Sequence, residues 1–259
     1  MRTIYTPTGR ALEYSPLALN LYQGCGHRCR YCYAPRVMRT TREEFAARTS
    51  PRPGVLEALE KKAPMYRADP RRVLLCFMCD PYQPSEAAYR VTGQALGILN
   101  ARGVAANVLT KNPGLAINLD LKLLVKAKTW LGTTVVFMDD DDRATWEPDA
   151  PNASRRIAAL ADAKAAGLRT WMSLEPVMDP RQSLHAMEAA CGVVDEFKVG
   201  RLNHDEEIGR TINWQTFALD VLATAQRVGA NVTLNHDLVK VLPEDVRAAY
   251  LAAKLEGKS

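Results

Sequence analysis

No stretch of this 259-residue sequence reaches the roughly 18 consecutive apolar residues of a membrane-crossing helix. Residues 1–7 carry no apolar core of the kind that directs secretion, so the expected compartment is the reducing cytoplasm, with no membrane partner. A dinucleotide-binding G-x-G-x-x-G fingerprint is missing, as are linkers, low-complexity tracts and breaks in composition. Those absences favour one domain over 1–259, with a lead-in over about 1–16 and a C-terminal βα extension over about 230–259. Strong charge imbalance is missing too: a net charge of +5 is a mild bias that does not by itself imply nucleic acid.

What is present is alternation. Apolar runs at 18–22, 73–78, 105–110, 133–137, 170–174, 196–199 and 231–234 read as strands. Helical patterns separate them: 87–102 before Gly103, 152–166 with Asn152 as N-cap and Gly167 as stop, and 214–228 ending at Gly229. Strands alternating with helices imply an α/β fold with a parallel sheet and right-handed crossovers. Six or seven such units favour a full or partial TIM-type barrel, in which chemistry gathers at the C-terminal ends of the strands.

Polar residues follow the predicted strands in that position. They are the segment 24–32, Cys79-Asp80-Pro81-Tyr82, Lys111-Asn112, the acidic run 139–142, Glu175, Asn203-His204 and Asn235-His236. The tetrapeptide Leu-Asn-His-Asp ends two strands, at 202–205 and 234–237. Helix caps and turns compete with function for such residues. The run 139–142 lacks the glycine-spaced frame of a calcium loop and reads as a helix start or solvated loop.

The densest signal is Cys25-Gly-His-Arg-Cys29-Arg-Tyr-Cys32, a C-x3-C-x2-C loop directly after a strand. Clustered cysteines in a cytosolic chain more often bind metal or do chemistry than form disulfides. Three thiolates can hold three irons of a [4Fe–4S] cluster and leave the fourth iron open. A pure electron carrier would supply a fourth cysteine, and none lies nearby. The alternatives are zinc, with His27 or a distant cysteine as fourth ligand, or a non-catalytic Fe–S site. Cys76 and Cys79 are three apart, so on one strand they would face opposite ways and not line one site. Cys79, nearer the strand end, is the candidate hydrogen-atom donor or redox thiol; Cys191, late in a helical stretch, reads as an inert core thiol.

With Tyr31 before its last cysteine, the motif resembles the radical SAM superfamily. Further segments are similar to its spore photoproduct lyase-like, or DNA repair photolyase-like, branch. They are Tyr22-Gln-Gly-Cys25 through Cys32-Tyr33-Ala34, Asp80-Pro-Tyr-Gln-Pro-Ser-Glu86, Thr110-Lys111-Asn112, and Glu147-Pro-x-Ala-Pro with Arg155-Arg156. The resemblance implies a partial (β/α)6 barrel of the radical SAM kind. It implies a [4Fe–4S] cluster on Cys25, Cys29 and Cys32, and S-adenosylmethionine cleaved to methionine and a 5′-deoxyadenosyl radical.

By the same resemblance, Lys111 pairs with the methionine carboxylate of S-adenosylmethionine, Tyr31 packs on adenine, and Thr134 offers a strand hydroxyl. Glu175 makes a polar contact, Asp80 approaches the amino group, and Tyr82 in the same loop joins Cys79 as a catalytic candidate. Glu86 reads as a helix start, and a buried Glu147 is the expected partner for one of Arg155 and Arg156. Photoproduct lyases carry a cysteine hydrogen donor in this neighbourhood; counting back from Asp80 places that position on Phe77, so the donor does not carry over.

Arg28, Arg30, Arg36, Arg39 and Arg42 crowd the cysteine segment, and Arg67, Arg71 and Arg72 follow. They read as a solvated basic face, or as a rim for an anionic partner: a nucleic-acid substrate or an acidic flavodoxin- or ferredoxin-type electron donor. A peptide or small metabolite is the alternative substrate.

Overall fold

The computed structural model describes residues 3–201 and 206–256. Seven strands form one sheet in chain order: β1 (Leu17–Leu19), β2 (Val73–Leu75), β3 (Ala106–Thr110), β4 (Trp130–Thr134), β5 (Thr170–Val177), β6 (Glu196–Arg201) and β7 (Val232–Leu234). Every neighbouring pair is parallel. A parallel strand is covered on both faces, which is why β1 and β2 are buried at every position and read as unbroken apolar runs. The sheet curls into a half-barrel, and β7 is the expected C-terminal βα extension. Because all seven strands run one way, the loops that leave their C-terminal ends share one rim.

The helix Arg10–Tyr14 packs against β6 and the helix that follows β7. Glu13 Oε2 accepts from His236 N at 3.0 Å, Arg10 pairs with Asp237, and Lys198 Nζ donates to the Tyr14 carbonyl at 3.0 Å. Asn235 caps the helix His236–Val241 by accepting from Leu238 N. The second Leu-Asn-His-Asp is therefore a capping and docking element; the first, at 202–205 with Asn203 and His204, lies outside the described residues.

Several boundaries differ from the sequence pattern, each for a local reason. The apolar run 133–137 predicts β4 too late: its ladder begins at Trp130. Gly132 permits that register, because it pairs with Trp171 on β5 and a Cβ there would lie 2.3 Å from the indole ring. β2 stops at Leu75, short of the predicted 78, because Asn20 Oδ1 accepts from Phe77 N at 3.0 Å and Met78 N at 2.9 Å. Those amides are withdrawn from the ladder.

The helix predicted over 87–102 is two, Glu86–Tyr89 and Val91–Ala101, separated by Arg90 at φ 53°. Arg90 Nη2 donates to Asp120 Oδ1 at 2.7 Å, and the buried Glu86 carboxylate accepts from Thr92 N at 2.8 Å, fixing the break. Glu86 is thus more than a helix start. Asp139 caps the helix Asp140–Trp146, as the acidic run predicts, whereas Cys191 is partly exposed just past the helix Pro180–Ala190 and not in the core. Among the described residues no helix is long and apolar enough to cross a membrane.

A Gly132→Ala substitution should overpack the β4–β5 contact and destabilise the fold by about 1–3 kcal/mol. Urea unfolding checks this: the midpoint should fall while the slope stays unchanged.

Candidate functional site

The loops at the C-terminal rim line a cavity of about 680 Å³. Of the residues the sequence nominates, Cys25, Cys29, Cys32, Tyr31, Cys79, Asp80, Lys111, Thr134 and Glu175 all line it. Tyr82 does not: it is fully buried, and its hydroxyl donates to Asp120 Oδ2 at 3.0 Å.

The cysteine loop has little regular structure of its own and is held from outside. Gly24 lies so close to the helix Arg42–Ala47 that a Cβ would fall 1.9 Å from the Phe45 carbonyl oxygen, so only glycine fits before Cys25. The buried Gln83 side chain clamps the next turn, donating to the Gly24 carbonyl at 3.1 Å and accepting from Gly26 N at 2.8 Å. Arg42 Nη1 donates to the Cys29 and Cys32 carbonyls at 3.3 and 3.0 Å. His27 Nδ1 lies 3.1 Å from the Asp149 carbonyl and Nε2 lies 3.3 Å from Asp80 Oδ2, so both ring nitrogens face oxygen.

This arrangement bears on the metal it suits. Among the described residues no three His, Cys, Asp or Glu side chains converge closely enough to hold a single ion. A four-iron cube is ligated corner by corner, each thiolate on its own iron, so three thiols spread along one cavity wall fit it better than zinc. Burial pushes the Cys29 thiol up to about 12 and also raises Cys25 well above its ordinary value, so their thiolates need a cationic partner.

Asp80 joins three loops. Its Oδ1 accepts from Thr110 Oγ1 at 2.6 Å and Tyr82 N at 2.8 Å; its Oδ2 accepts from Lys111 N at 2.7 Å and faces His27. Burial raises the carboxyl, and His27 with these donors outweighs it, holding Asp80 below the usual range. With both oxygens engaged, Asp80 positions the loops around it.

Glu147, fully buried, is the second hub. Its carboxylate accepts from the Tyr31 hydroxyl and the Arg156 guanidinium, and lies 3.0 Å from Lys111 Nζ. Burial raises it, and Lys111 and Arg156 together bring it down to about 2. Arg156 also donates to the carbonyls of Thr134 and Pro151, each at 2.7 Å, while Arg155 is exposed. Glu147 is therefore the buried partner the sequence expects for one of the two arginines. Lys111 is shared: one face meets Glu147, and its ammonium lies 5.2 Å from the Tyr31 ring centroid at the cavity wall.

Glu175 reaches the cavity from β5, beside Ser173, Tyr14 and Arg201. Burial pushes its carboxyl up to about 7, against the opposing pull of Arg10. Cys76 and Cys79 both line the cavity, contrary to the strand alternation that places them on opposite faces. Since β2 ends at Leu75, that alternation does not govern them. Phe77 lines the cavity between them.

The arginines divide. Arg71 and Arg72 precede β2 and lie at the N-terminal ends of the strands, opposite the rim, Arg71 paired with Asp69 and Arg72 stacked 4.6 Å over Trp130. On the rim side, Arg28 pairs with Asp149, and Arg36 and Arg39 are exposed.

Glu147→Gln should cost about 3–5 kcal/mol in urea unfolding, because it strands two buried cations. Glu175 titrates near 7 when folded against an ordinary 4.5, so the folded chain holds its proton more tightly. Its stabilising contribution is complete below pH 4.5 and lost as pH rises through 7. The unfolding free energy should fall across that window, and Glu175→Gln should remove this part of the slope.

No family model matches the sequence. Uncharacterized proteins of Mycobacterium tuberculosis and Mycobacterium bovis are 29% identical over 186 residues, covering 66% of this chain and 52% of theirs. The chain thus spans about half the length of the curated relatives it matches. An uncharacterized protein of Acidianus two-tailed virus is 21% identical over 247 residues, covering 92% of this chain and 81% of its own. Among solved structures, a cysteine-to-serine mutant of spore photoproduct lyase has a TM-score of 0.67 at 15% identity, covering 91% of this chain and 81% of that one. Streptococcus suis SuiB bound to S-adenosylmethionine has a TM-score of 0.64 at 13% identity, covering 88% and 52%. This chain has the half-barrel fold of spore photoproduct lyase and of SuiB.

Proposed function

We propose that this protein is a radical SAM enzyme whose cavity holds a [4Fe–4S] cluster on Cys25, Cys29 and Cys32 with S-adenosylmethionine beside it. The observation that carries the reading is three thiols of one clamped loop facing one rim cavity with Lys111 on its wall. Proteins of this fold have been crystallised with S-adenosylmethionine bound, which supports it. When bound and reduced, the cluster supplies the electron that splits S-adenosylmethionine into methionine and a 5′-deoxyadenosyl radical, which takes hydrogen from the substrate.

The chain's own residues prepare that site. Gln83 and Arg42 fix the loop so that the thiols need no rearrangement. The Lys111 ammonium, held by Glu147, meets the methionine carboxylate. The Tyr31 ring packs against adenine, and the Thr134 hydroxyl donates from the end of β4. Asp80 acts through the backbone of Lys111, and Tyr82 through Asp120, so both are positioning residues. Glu175, whose carboxyl burial raises to about 7, offers a hydroxyl donor from the facing wall in its protonated form. Cys79 supplies a thiol to the same space, and Phe77 and Leu109 keep it dry.

The substrate we favour is nucleic acid: a spore photoproduct lyase of this fold has been crystallised with a dinucleoside spore photoproduct, and Arg36 and Arg39 stand exposed by the loop. A peptide is the second reading, since SuiB has been crystallised with its precursor peptide. An acidic flavodoxin- or ferredoxin-type donor suits the same arginines, in a cytoplasmic setting.

The test is anaerobic reconstitution with iron and sulfide, then dithionite and S-adenosylmethionine, with 5′-deoxyadenosine quantified. Wild type should form it and Cys29→Ala should not; a well-formed four-iron protein that yields none sinks the proposal. Lys111→Ala should weaken S-adenosylmethionine binding by about tenfold, the worth of one charge-assisted contact. A nucleic-acid substrate should bind less tightly as salt rises; peptide turnover without that dependence would select the second reading.

A further inference from the structure

Cys76 and Cys79 leave the end of β2 as a C-x-x-C pair and belong to neither the cysteine loop nor the two carboxylate hubs. Both are free thiols, both line the cavity, and they are 6% and 9% exposed. Each thiol lies close enough to shift the other's hold on its proton. The backbone N–H groups of Leu21 and Tyr22, at the exit of β1, favour the charged form of Cys79, and that of Leu21 acts on Cys76 as well.

These donors divide the pair. Burial pushes both thiols up, but at Cys79 the Cys76 thiol and the two amides outweigh it and bring the group below its ordinary value. Cys76, buried and facing the Cys79 charge, is held well above. Cys79 therefore gives up its proton more readily than Cys76, the division of labour that thiol–disulfide exchange requires.

We infer that Cys76 and Cys79 form a dithiol–disulfide couple that exchanges with low-molecular-weight disulfides entering the cavity. The Cys79 thiolate attacks one sulfur of the incoming disulfide, whose S–S bond breaks and releases one thiolate. Cys76 then loses its proton and attacks the Cys79 sulfur of the mixed disulfide, releasing the second thiolate and closing the Cys76–Cys79 bond. The released thiolates take up protons, so one disulfide is reduced to two thiols as the protein dithiol is oxidised. The occupant is small because the two sulfurs open only into the cavity, beyond the reach of a folded protein's disulfide. The inference does not rest on the radical reading, and its test is blind to it.

Protein purified without oxygen is equilibrated with bis(2-hydroxyethyl) disulfide and its thiol at set ratios, quenched in acid, alkylated and digested with trypsin. Cleavage after Arg72 and Arg90 releases both cysteines on the peptide 73–90, apart from Cys25, Cys29 and Cys32. As the ratio rises, that peptide should lose the hydrogen of each thiol and escape alkylation, with no adduct. Cys76→Ser should trap the hydroxyethyl adduct on Cys79, and Cys79→Ser should trap far less on Cys76. A wild-type peptide alkylated at both cysteines at every ratio overturns the couple, whether or not either variant folds. The reverse trapping order overturns the assignment of Cys79 as attacker. Oxidation by an added thioredoxin-class protein but not by the small disulfide overturns the choice of occupant.

Discussion

The site depends on one buried negative charge. Glu147 sits beyond solvent and is ionised only because Lys111, Arg156 and Tyr31 reach it from three different parts of the chain. A carboxylate in a low-dielectric interior is costly unless it is paired and hydrogen-bonded, and here each oxygen has a partner. The arrangement fixes the end of β3 against the cysteine loop, and through Arg156 it also holds the Thr134 carbonyl at the end of β4. Three strand ends around the cavity are therefore set by one electrostatic balance.

Asp80 does the same from the other side with backbone amides and hydroxyls. The pair explains why Lys111 matters twice: its amide belongs to Asp80 and its ammonium to Glu147. Such residues attract attention as ligands because they are polar and lie at strand ends, yet their oxygens are already spoken for. What faces the open space is sulfur, aromatic rings, strand hydroxyls and a carboxyl whose proton affinity burial has raised.

The three cysteines, Lys111 and Glu175 were legible because strand ends and close spacing are local properties of the sequence. The helix 214–228 was legible to its last residue, since Gly229 adopts the left-handed backbone, φ 66°, that its position as a stop demands. Gln83 was not: its clamp on Gly24 and Gly26 spans nearly sixty residues, and no local pattern marks it. Nor was the end of β2, which a side chain on the neighbouring strand's exit decides. That missed terminus carried the error about Cys76 and Cys79 with it, because alternation holds only while the ladder does. Strand β4 was misplaced because propensity favours Thr-Thr-Val-Val-Phe, while the contact that sets its register is a missing side chain opposite a tryptophan.

The half-barrel has one seam. Six ladders join strand to strand through backbone hydrogen bonds, whereas among the described residues the short helix Arg10–Tyr14 is held to β6 and to the helix after β7 by an ion pair, the His236 N–H on Glu13, Lys198 and the Tyr14 ring packed on Phe77 and Trp171. The ion pair joins side chains 47% and 23% exposed, and such pairs contribute only about 0–1 kcal/mol. That side of the half-barrel is therefore held by side-chain packing on Tyr14 more than by charge, with no backbone ladder to close it.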